Sequence, residues 1–437
     1  MPIFDTASLN PGVRRREVLG WAMYDFANSG YTTVVLTAVF NAYFVGVVAQ
    51  GADWGTLAWT LALAASNLIV MFTMPALGAY ADARARKKGL LVLSTLGCVV
   101  ATATLALVGP GDLWLAVLAI VISNLCYAYG ETLIAAFLPE LARREAMGRV
   151  SGWGWSLGYF GGMLTLGLSL GYVIWAQGQG LKATHFVPVT MLITAVVYLL
   201  AALATFALLK ERAVAQPGAS GGAHRESGLK ASLHRLQRTW HEAARYADFR
   251  WLLVCAVFYQ AGISVVIALA AIYAEQVLGF KQTDTMMLIF LVNVASAAGA
   301  FAFGYLQDRV GHARGLSLTL WGWIAMTLLA WMATGPALFW VAAVIAGLCM
   351  GSSQSAGRAM AGLLAPPDRL AEFFGLWTFA VRLSGIVGPV TYGMVTWLTA
   401  GNHRVAILST GLFFVVGLVV LRRVDVERGA AAALSEK

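Results

Sequence analysis

Long apolar runs separated by short polar segments cover almost the whole chain. A helix that crosses a bilayer needs about 20 consecutive, mostly apolar residues, and twelve runs meet this requirement. They lie at about residues 19–46, 56–80, 89–108, 113–138, 150–176, 186–209, 250–277, 284–306, 315–333, 336–364, 371–399 and 404–421. Few charged residues interrupt these runs, so we expect them to lie in lipid. The pattern therefore predicts an all-α membrane protein with twelve transmembrane helices.

The runs form two sets of six that carry related motifs. Gly78 and Asp82 follow run two, and Gly304 and Asp308 follow run eight at a constant offset of 226 residues. Gly152 in run five has a matching glycine 223 residues later, in run eleven. Because six spans separate the copies, both copies have the same orientation in the membrane. This arrangement predicts two parallel six-helix repeats related by an axis along the membrane normal.

A hydrophilic segment at 210–249 separates the two halves, which we assign to residues 1–209 and 250–437. Residues 217–222 are rich in glycine and small residues, a composition typical of a flexible linker. The stretch at 233–244 places apolar residues between basic ones. This stretch fits either an amphipathic helix on an anionic membrane surface or a solvated charged linker.

The composition and the placement of charge support the membrane assignment. The 437 residues are 59% hydrophobic and 12% charged, whereas soluble domains are about 45–50% apolar and about 25% charged. Of the 30 Lys and Arg residues, 25 fall on one side of the predicted topology and only Lys182, Lys281 and Arg404 on the other. The positive-inside rule then predicts a multi-pass protein of the cytoplasmic membrane with both termini in the cytoplasm. No basic recognition module is evident, so we expect no nucleic-acid partner despite the net charge of +9.

The loop after run two resembles the signature loop of the major facilitator superfamily. Gly78, Asp82, Arg86 and Lys87 fit the pattern G-x-x-x-D-x-x-x-[RK]-[RK], and a weaker copy follows run eight. This resemblance implies a transporter in which two six-helix halves rock around a central solute site.

Further segments are similar to the vacuole-effluxer-like family, which includes relatives of the yeast vacuolar amino-acid effluxer linked to autophagy. They are residues 21–29, 137–152, 268–274 and 366–389. The chain departs from the family pattern at Ala261, where the family has an acidic residue, and at Ala135, where it tends to have asparagine. The resemblance implies transport of a small solute such as an amino acid.

Ionisable side chains inside the apolar runs are candidates for solute binding, because a charge in lipid costs at least about 2.5–3.5 kcal/mol. Arg382 lies near the middle of run eleven. The resemblance implies a basic residue at this position, and Gln and Arg at the positions of Gln354 and Arg358. A guanidinium in the membrane suits a solute carboxylate or a buried acidic partner. A permanent structural ion pair is the alternative interpretation.

Asp25 and Glu131 are the acidic candidates, because an acid in a dry cavity with a nearby arginine can exchange a proton during transport. Helical periodicity puts Asp25 and Asn28 on one face of run one, beside a face with Tyr24 and Tyr31. Static hydrogen bonds between helices are the alternative. The predicted cavity residues are Tyr24, Asp25, Asn28, Tyr31, Glu131, Gln260, Gln354, Arg358 and Arg382.

Charged residues in the two repeated loops are candidates for a gate. An aspartate at a helix end can hold two helices together through charge-assisted hydrogen bonds and through the dipole of a facing helix. The candidates are Asp82, Arg84, Arg86, Lys88, Asp308 and Arg309. The alternative for the basic residues of this set is that they only fix the orientation of the helices in the membrane.

These features predict a monomeric secondary active transporter. We expect its partners to be the bilayer, a small anionic or zwitterionic solute such as an amino acid, and protons. No phosphate-binding loop, nucleophile–base pair or metal-ligand spacing stands out in the sequence, so we expect no enzyme activity, cofactor or metal. An exporter of hydrophobic drugs or lipids on the same fold is one alternative. A membrane sensor or scaffold that transports nothing is another.

Overall fold

Twelve long apolar helices dominate the computed structural model, which describes residues 4–52, 54–214, 246–280 and 282–435. They are α1 (Arg15–Val48), α2 (Gly55–Ala83), α3 (Lys87–Leu107), α4 (Leu113–Leu141), α5 (Arg144–Gly178), α6 (Ala183–Leu208), α7 (Ala247–Leu278), α8 (Gln282–Val310), α9 (His312–Met332), α10 (Pro336–Leu364), α11 (Leu370–Leu398) and α12 (His403–Leu421). A short helix, α13 (Val426–Leu434), follows. The predicted all-α class with twelve membrane-spanning helices is confirmed. The predicted flexible linker at 217–222 and the stretch at 233–244, with its two alternatives, lie outside the described residues.

The two halves meet along two seams, α5 against α8 and α2 against α11. Glycine allows the backbones to approach at both seams, since a Cβ atom at Gly152 would collide with the carbonyl of Ala300. A Cβ atom at Gly78 would likewise collide with the backbone of Ala371. The repeated glycines found in the sequence therefore lie where helices of opposite halves touch.

The first and last described segments of the chain and the described parts of the loops after the even-numbered helices lie on one face of the bundle, here called the basic face. It comprises residues 4–14, 84–86, 142–143, 209–214, 311, 365–369 and 422–435. The N-terminal segment lies against the end of α4, where the Asn10 amide donates to the Leu141 carbonyl at 2.9 Å. The C-terminal segment lies against the start of α7, where the Asp425 amide donates to Asp248 Oδ1 at 2.8 Å.

Helix α1 is regular near the basic face and irregular beyond Tyr31. Residues Thr32–Ala38 and Phe44–Val48 are π-helical, and the backbone bends between them at Val39. Such widened turns change the direction in which side chains leave a helix. The regular part of α1 therefore keeps Asp25 and Asn28 on one face, as the periodicity predicts.

Candidate functional site

Two arginines inside the membrane-spanning helices each pair with a carboxylate of the other half. The first pair joins Asp25 of α1 to Arg358 of α10, with Nη1 at 2.7 Å from Oδ2. Only 11% of the Asp25 side chain and 7% of the Arg358 side chain are exposed. This pair is therefore sealed between the two halves.

Every nitrogen of the Arg358 guanidinium has a partner. Its Nε donates to Ser151 Oγ at 3.1 Å and its Nη2 donates to the Ser151 carbonyl at 2.8 Å. The rings of Trp21 and Trp155 lie 4.7 Å and 5.3 Å from the guanidinium carbon. Because each nitrogen already has a partner and the guanidinium lies between two indoles, this cluster joins helices α1, α5 and α10.

Gly154 of α5 makes room for the sealed pair. A Cβ atom at this position would lie 2.5 Å from Asp25 Oδ2 and 2.7 Å from Arg358 Nη2. Because the carboxylate and the guanidinium are bonded to each other, neither can move away without breaking a hydrogen bond. The absence of a side chain at 154 is therefore a requirement of the ion pair.

The second pair joins Glu131 of α4 to Arg382 of α11, with Nη2 at 2.8 Å from Oε2. Here 39% of the Glu131 side chain and 17% of the Arg382 side chain are exposed. Arg382 Nε is buried without a hydrogen-bond partner. The Tyr127 ring lies 5.8 Å from the guanidinium carbon. This arginine has an unused donor beside a carboxylate that other molecules can reach.

The two pairs lie at different depths. Arg358 is six residues from the end of α10 at the basic face, or about 9 Å along the helix. Arg382 is twelve residues from the start of α11, or about 18 Å. The open pair therefore lies near mid-membrane, and a bond between the Thr132 and Thr378 hydroxyl groups (2.7 Å) joins the same two helices one turn away.

Three predicted cavity residues of α1 belong to a hydrogen-bond network inside the first half. The Tyr24 hydroxyl bonds to Thr95 of α3 at 2.8 Å, and the Tyr31 hydroxyl bonds to Ser123 of α4 at 2.8 Å. Both tyrosines are fully buried. Asn28 accepts from the Tyr198 hydroxyl at 2.7 Å, while its buried Nδ2 has no partner. Of the three side chains, Asn28 is the one that retains an unused donor.

The two predicted glutamines contact each other within the second half. Gln260 Nε2 of α7 donates to Gln354 Oε1 of α10 at 3.2 Å. Gln354 is one helical turn before Arg358 and is half-buried, whereas Gln260 is buried. The pair is a polar contact that links α7 to the helix that carries the sealed arginine.

The two repeated aspartates make the same contact at the two seams. Asp82 accepts from the amides of Ala371 (3.1 Å) and Glu372 (2.9 Å), in the first turn of α11. Asp308 accepts from the amides of Gly148 (2.9 Å) and Arg149 (3.1 Å), near the start of α5. Each carboxylate thus meets the positive end of a helix of the opposite half. These contacts hold the halves together at the basic face.

The basic residues of the repeated loops make other contacts. The Arg84 guanidinium donates to the Tyr80 hydroxyl at 3.0 Å, and Lys88 Nζ donates to the Leu209 carbonyl at 2.6 Å. Arg86 and Arg309 are exposed. None of these four is bonded to Asp82 or Asp308 in the described part of the chain. Their positions at the basic face agree with the alternative that these residues only fix the orientation of the helices in the membrane.

Several residues of these clusters were not among the site residues predicted from the sequence. Lys87 is buried under the Phe137 ring and pairs with Glu140. Arg149 Nε donates to Asp308 Oδ2 at 2.9 Å, and Ser151 binds Arg358. Glu140, Arg149 and Ser151 all lie within 137–152, a segment that carried the family resemblance. The polar residues of this segment were the signal by which the sequence could have identified these three contacts.

Glu211, outside the membrane-spanning helices, caps the start of α3. Its carboxylate accepts from the amides of Lys87 (2.6 Å) and Lys88 (3.2 Å). Partial burial nevertheless raises the pKa of the Glu211 carboxyl above its usual value of 4.5. The segment after α6 is therefore tied to α3 by a carboxyl group whose ionised form burial disfavours in spite of the two amide bonds.

The comparisons with known proteins agree with this architecture. The family described as "Vacuole effluxer Atg22 like" matches residues 56–434. An uncharacterized MFS-type transporter of Bacillus subtilis, YxiO, is 25% identical over 422 residues, which cover 93% of this chain and 94% of that protein. Autophagy-related protein 22 of Cryptococcus neoformans is 28% identical over 198 residues, covering 42% of this chain and 36% of the fungal protein.

Among solved structures, the human organic anion transporter MFSD10 is similar, with a TM-score of 0.72 and 16% identity, over 93% of this chain and 99% of that one. At this identity the likeness establishes the fold. Together with the twelve helices and the paired seams, these matches identify a multi-pass integral membrane protein, a transporter and not an enzyme. The chain belongs to the vacuole effluxer Atg22-like family and has the major facilitator superfamily fold.

Proposed function

We propose that this protein carries a small anionic or zwitterionic solute, such as an amino acid, and that Arg382 binds the solute's carboxylate. The observation that carries this proposal is the unused Nε donor of Arg382, beside an ion pair of which Glu131 is 39% exposed. A guanidinium presents its donors in a planar fork that matches a carboxylate. Arg358 has the same chemistry but no unused nitrogen.

Glu131 is the residue that we assign to proton coupling. A solute carboxylate that binds Arg382 competes with Glu131 for the same guanidinium. Once displaced, Glu131 has lost its counter-charge, and it is the carboxylate to which we assign the coupled proton. Solute and proton then bind together at one ion pair. Asp25, the other acidic candidate, is assigned to a contact that joins the halves while the basic face is closed, because each guanidinium nitrogen of its partner Arg358 is already bonded.

Alternating access requires the contacts at the basic face to break. In the arrangement described here, Asp82 and Asp308 close that face by bonds to α11 and α5. The proposed cycle opens these contacts and the Asp25–Arg358 pair while the opposite ends of the helices approach. Because 25 of the 30 Lys and Arg residues fall on the side of the predicted topology that includes the basic face, we assign this face to the cytoplasm and the protein to the cell membrane.

Uptake into proteoliposomes tests the solute site. Arg382→Gln is expected to abolish saturable uptake of radiolabelled amino acids, since the carboxylate loses its counter-charge. Glu131→Gln is expected to retain exchange of solute but to lose accumulation driven by a pH gradient. The exposed Arg314 provides a matched control, and Arg314→Gln should behave as the wild type. Accumulation by Glu131→Gln equal to that of the wild type would contradict proton coupling at this residue.

A thermal-stability screen of the purified protein against amino acids, peptides and hydrophobic drugs identifies the solute class. Amino acids are expected to raise the unfolding midpoint of the wild type and to leave that of Arg382→Gln unchanged. Stabilisation by apolar drugs alone, independent of Arg382, would instead support an exporter of hydrophobic compounds.

A further inference from the structure

One seam between the two halves contains an apolar groove that opens sideways. The groove, of about 420 Å³, lies between α5 and α8 and is lined mainly by Trp153, Leu157, Phe160, Val294, Ala297 and Phe301. Phe160, Val294 and Phe301 are exposed on its rim. Trp153 and Phe160 are about 9 Å and about 20 Å along the helix from Met147, which lies near the start of α5. The groove therefore runs from the leaflet next to the basic face to about mid-membrane.

The internal repeat explains why the groove exists at this seam. At the other seam, Phe72 of α2 and Phe379 of α11 pack edge to face, with their ring centroids 6.3 Å apart. The repeat offsets of 226 and 223 residues place Ala298 and Ser156 at the corresponding positions of α8 and α5. Both of these small residues line the groove. The two phenylalanine rings that pack at the seam between α2 and α11 therefore have no counterpart at these positions of the seam between α5 and α8.

Aromatic and basic side chains surround the end of the groove nearest the basic face. Trp153 Nε1 donates to the Tyr305 hydroxyl at 3.1 Å, and the Arg149 guanidinium lies 5.4 Å from the Tyr305 ring. Arg149 is 28% exposed although it also bonds to Asp308. Arg309, the next residue of α8, is exposed. Amphipathic aromatics with arginine are typical of the depth of lipid headgroups.

We propose that this seam is a binding site for an anionic phospholipid of the leaflet at the basic face. One acyl chain fills the groove between α5 and α8, and the phosphate group is bound by Arg149 and Arg309. Charge complementarity selects an anionic headgroup, because two arginines mark the end of the groove. The groove crosses the seam that Asp308 closes, so a bound chain contacts both halves and stabilises this closed arrangement.

Thermal unfolding of the full-length protein in detergent tests the site with two probes, dioleoyl phosphatidylglycerol and dioleoyl phosphatidylcholine. Phosphatidylglycerol is expected to raise the unfolding midpoint by about 3 °C or more, and phosphatidylcholine by much less. Equal effects of the two lipids would overturn the proposal, because the arginines would then select nothing.

Ala298→Phe fills the groove with the residue that the repeat has at the other seam. This variant is expected to lose the phosphatidylglycerol effect, whereas Leu200→Phe, at a lipid-exposed position of α6, should retain it. Retention by Ala298→Phe would overturn the proposal. If Ala298→Phe does not elute as a monodisperse species, Arg309→Gln is the variant that tests the site. A loss of preference for phosphatidylglycerol in this variant supports the site, and an unchanged preference excludes it. Solute binding at Arg382 is measured separately, so failure here leaves the solute proposal intact.

Discussion

The two ion pairs that cross between the halves use the same functional groups in opposite environments. Asp25–Arg358 is sealed by Ser151 and two tryptophans, whereas Glu131–Arg382 is open and has an unused donor. Burial raises the cost of breaking a pair and reduces the chance that another molecule replaces one member. The sealed pair is therefore suited to joining helices, and the open pair to exchanging partners.

The largest expected effect comes from breaking the sealed pair. Arg358→Gln leaves Asp25 buried without a counter-charge, which costs about 3–5 kcal/mol of stability. Arg382→Gln, at the open pair, should cost less than about 1 kcal/mol, because Glu131 can be solvated. Thermal unfolding in detergent measures both variants. Equal destabilisation would show that the difference in burial has no energetic consequence.

A smaller effect is expected when the space for the sealed pair is removed. Gly154→Ala inserts a methyl group against the Asp25 carboxylate and the Arg358 guanidinium, and overpacking of this kind costs about 1–3 kcal/mol. Gly167 lies on the same helix, and a Cβ atom there would have no neighbour within 4 Å, so Gly167→Ala is the matched control. The unfolding midpoints of the two variants give the comparison. A Gly154→Ala protein as stable as the control would show that the pair can shift freely.

The gate at the basic face can be weakened one seam at a time. Asp82→Asn and Asp308→Asn each remove the charge from two bonds to helix amides, at a cost of about 1–2 kcal/mol per seam. Asp308 also accepts from Arg149 Nε, so the loss should be greater at its seam. Cysteines introduced on the basic face would report opening by their rate of alkylation. A faster rate for both variants, with Asp308→Asn ahead, is the expected order.

The sequence predicted the helices well because the bilayer fixes the length of an apolar span. It also identified all four members of the two ion pairs, since ionisable groups are rare in such spans. Which acid pairs with which arginine depends on how two halves pack, and 333 residues separate Asp25 from Arg358. Apart from its place in the family-like segment 137–152, Ser151 had no distinctive signal, because a serine in a helix commonly bonds to its own backbone. Tyr24 and Tyr31 share a helix face that proved to pack inside the first half.

Glu211 can be compared with Asp25 and Glu131, because it is a partly buried carboxyl group that lies outside the membrane-spanning helices. Glu211 is partly buried, and burial raises its pKa above 4.5. Just above pH 4.5 the unfolded chain has lost this proton while the folded protein keeps it, so stability falls as pH rises through the folded pKa. Glu211→Gln should flatten the pH dependence of the unfolding midpoint in this range. The change should be small, since Lys87 and Lys88 amides still solvate the carboxylate; an unaltered profile would mean that these amides cancel the cost of burial.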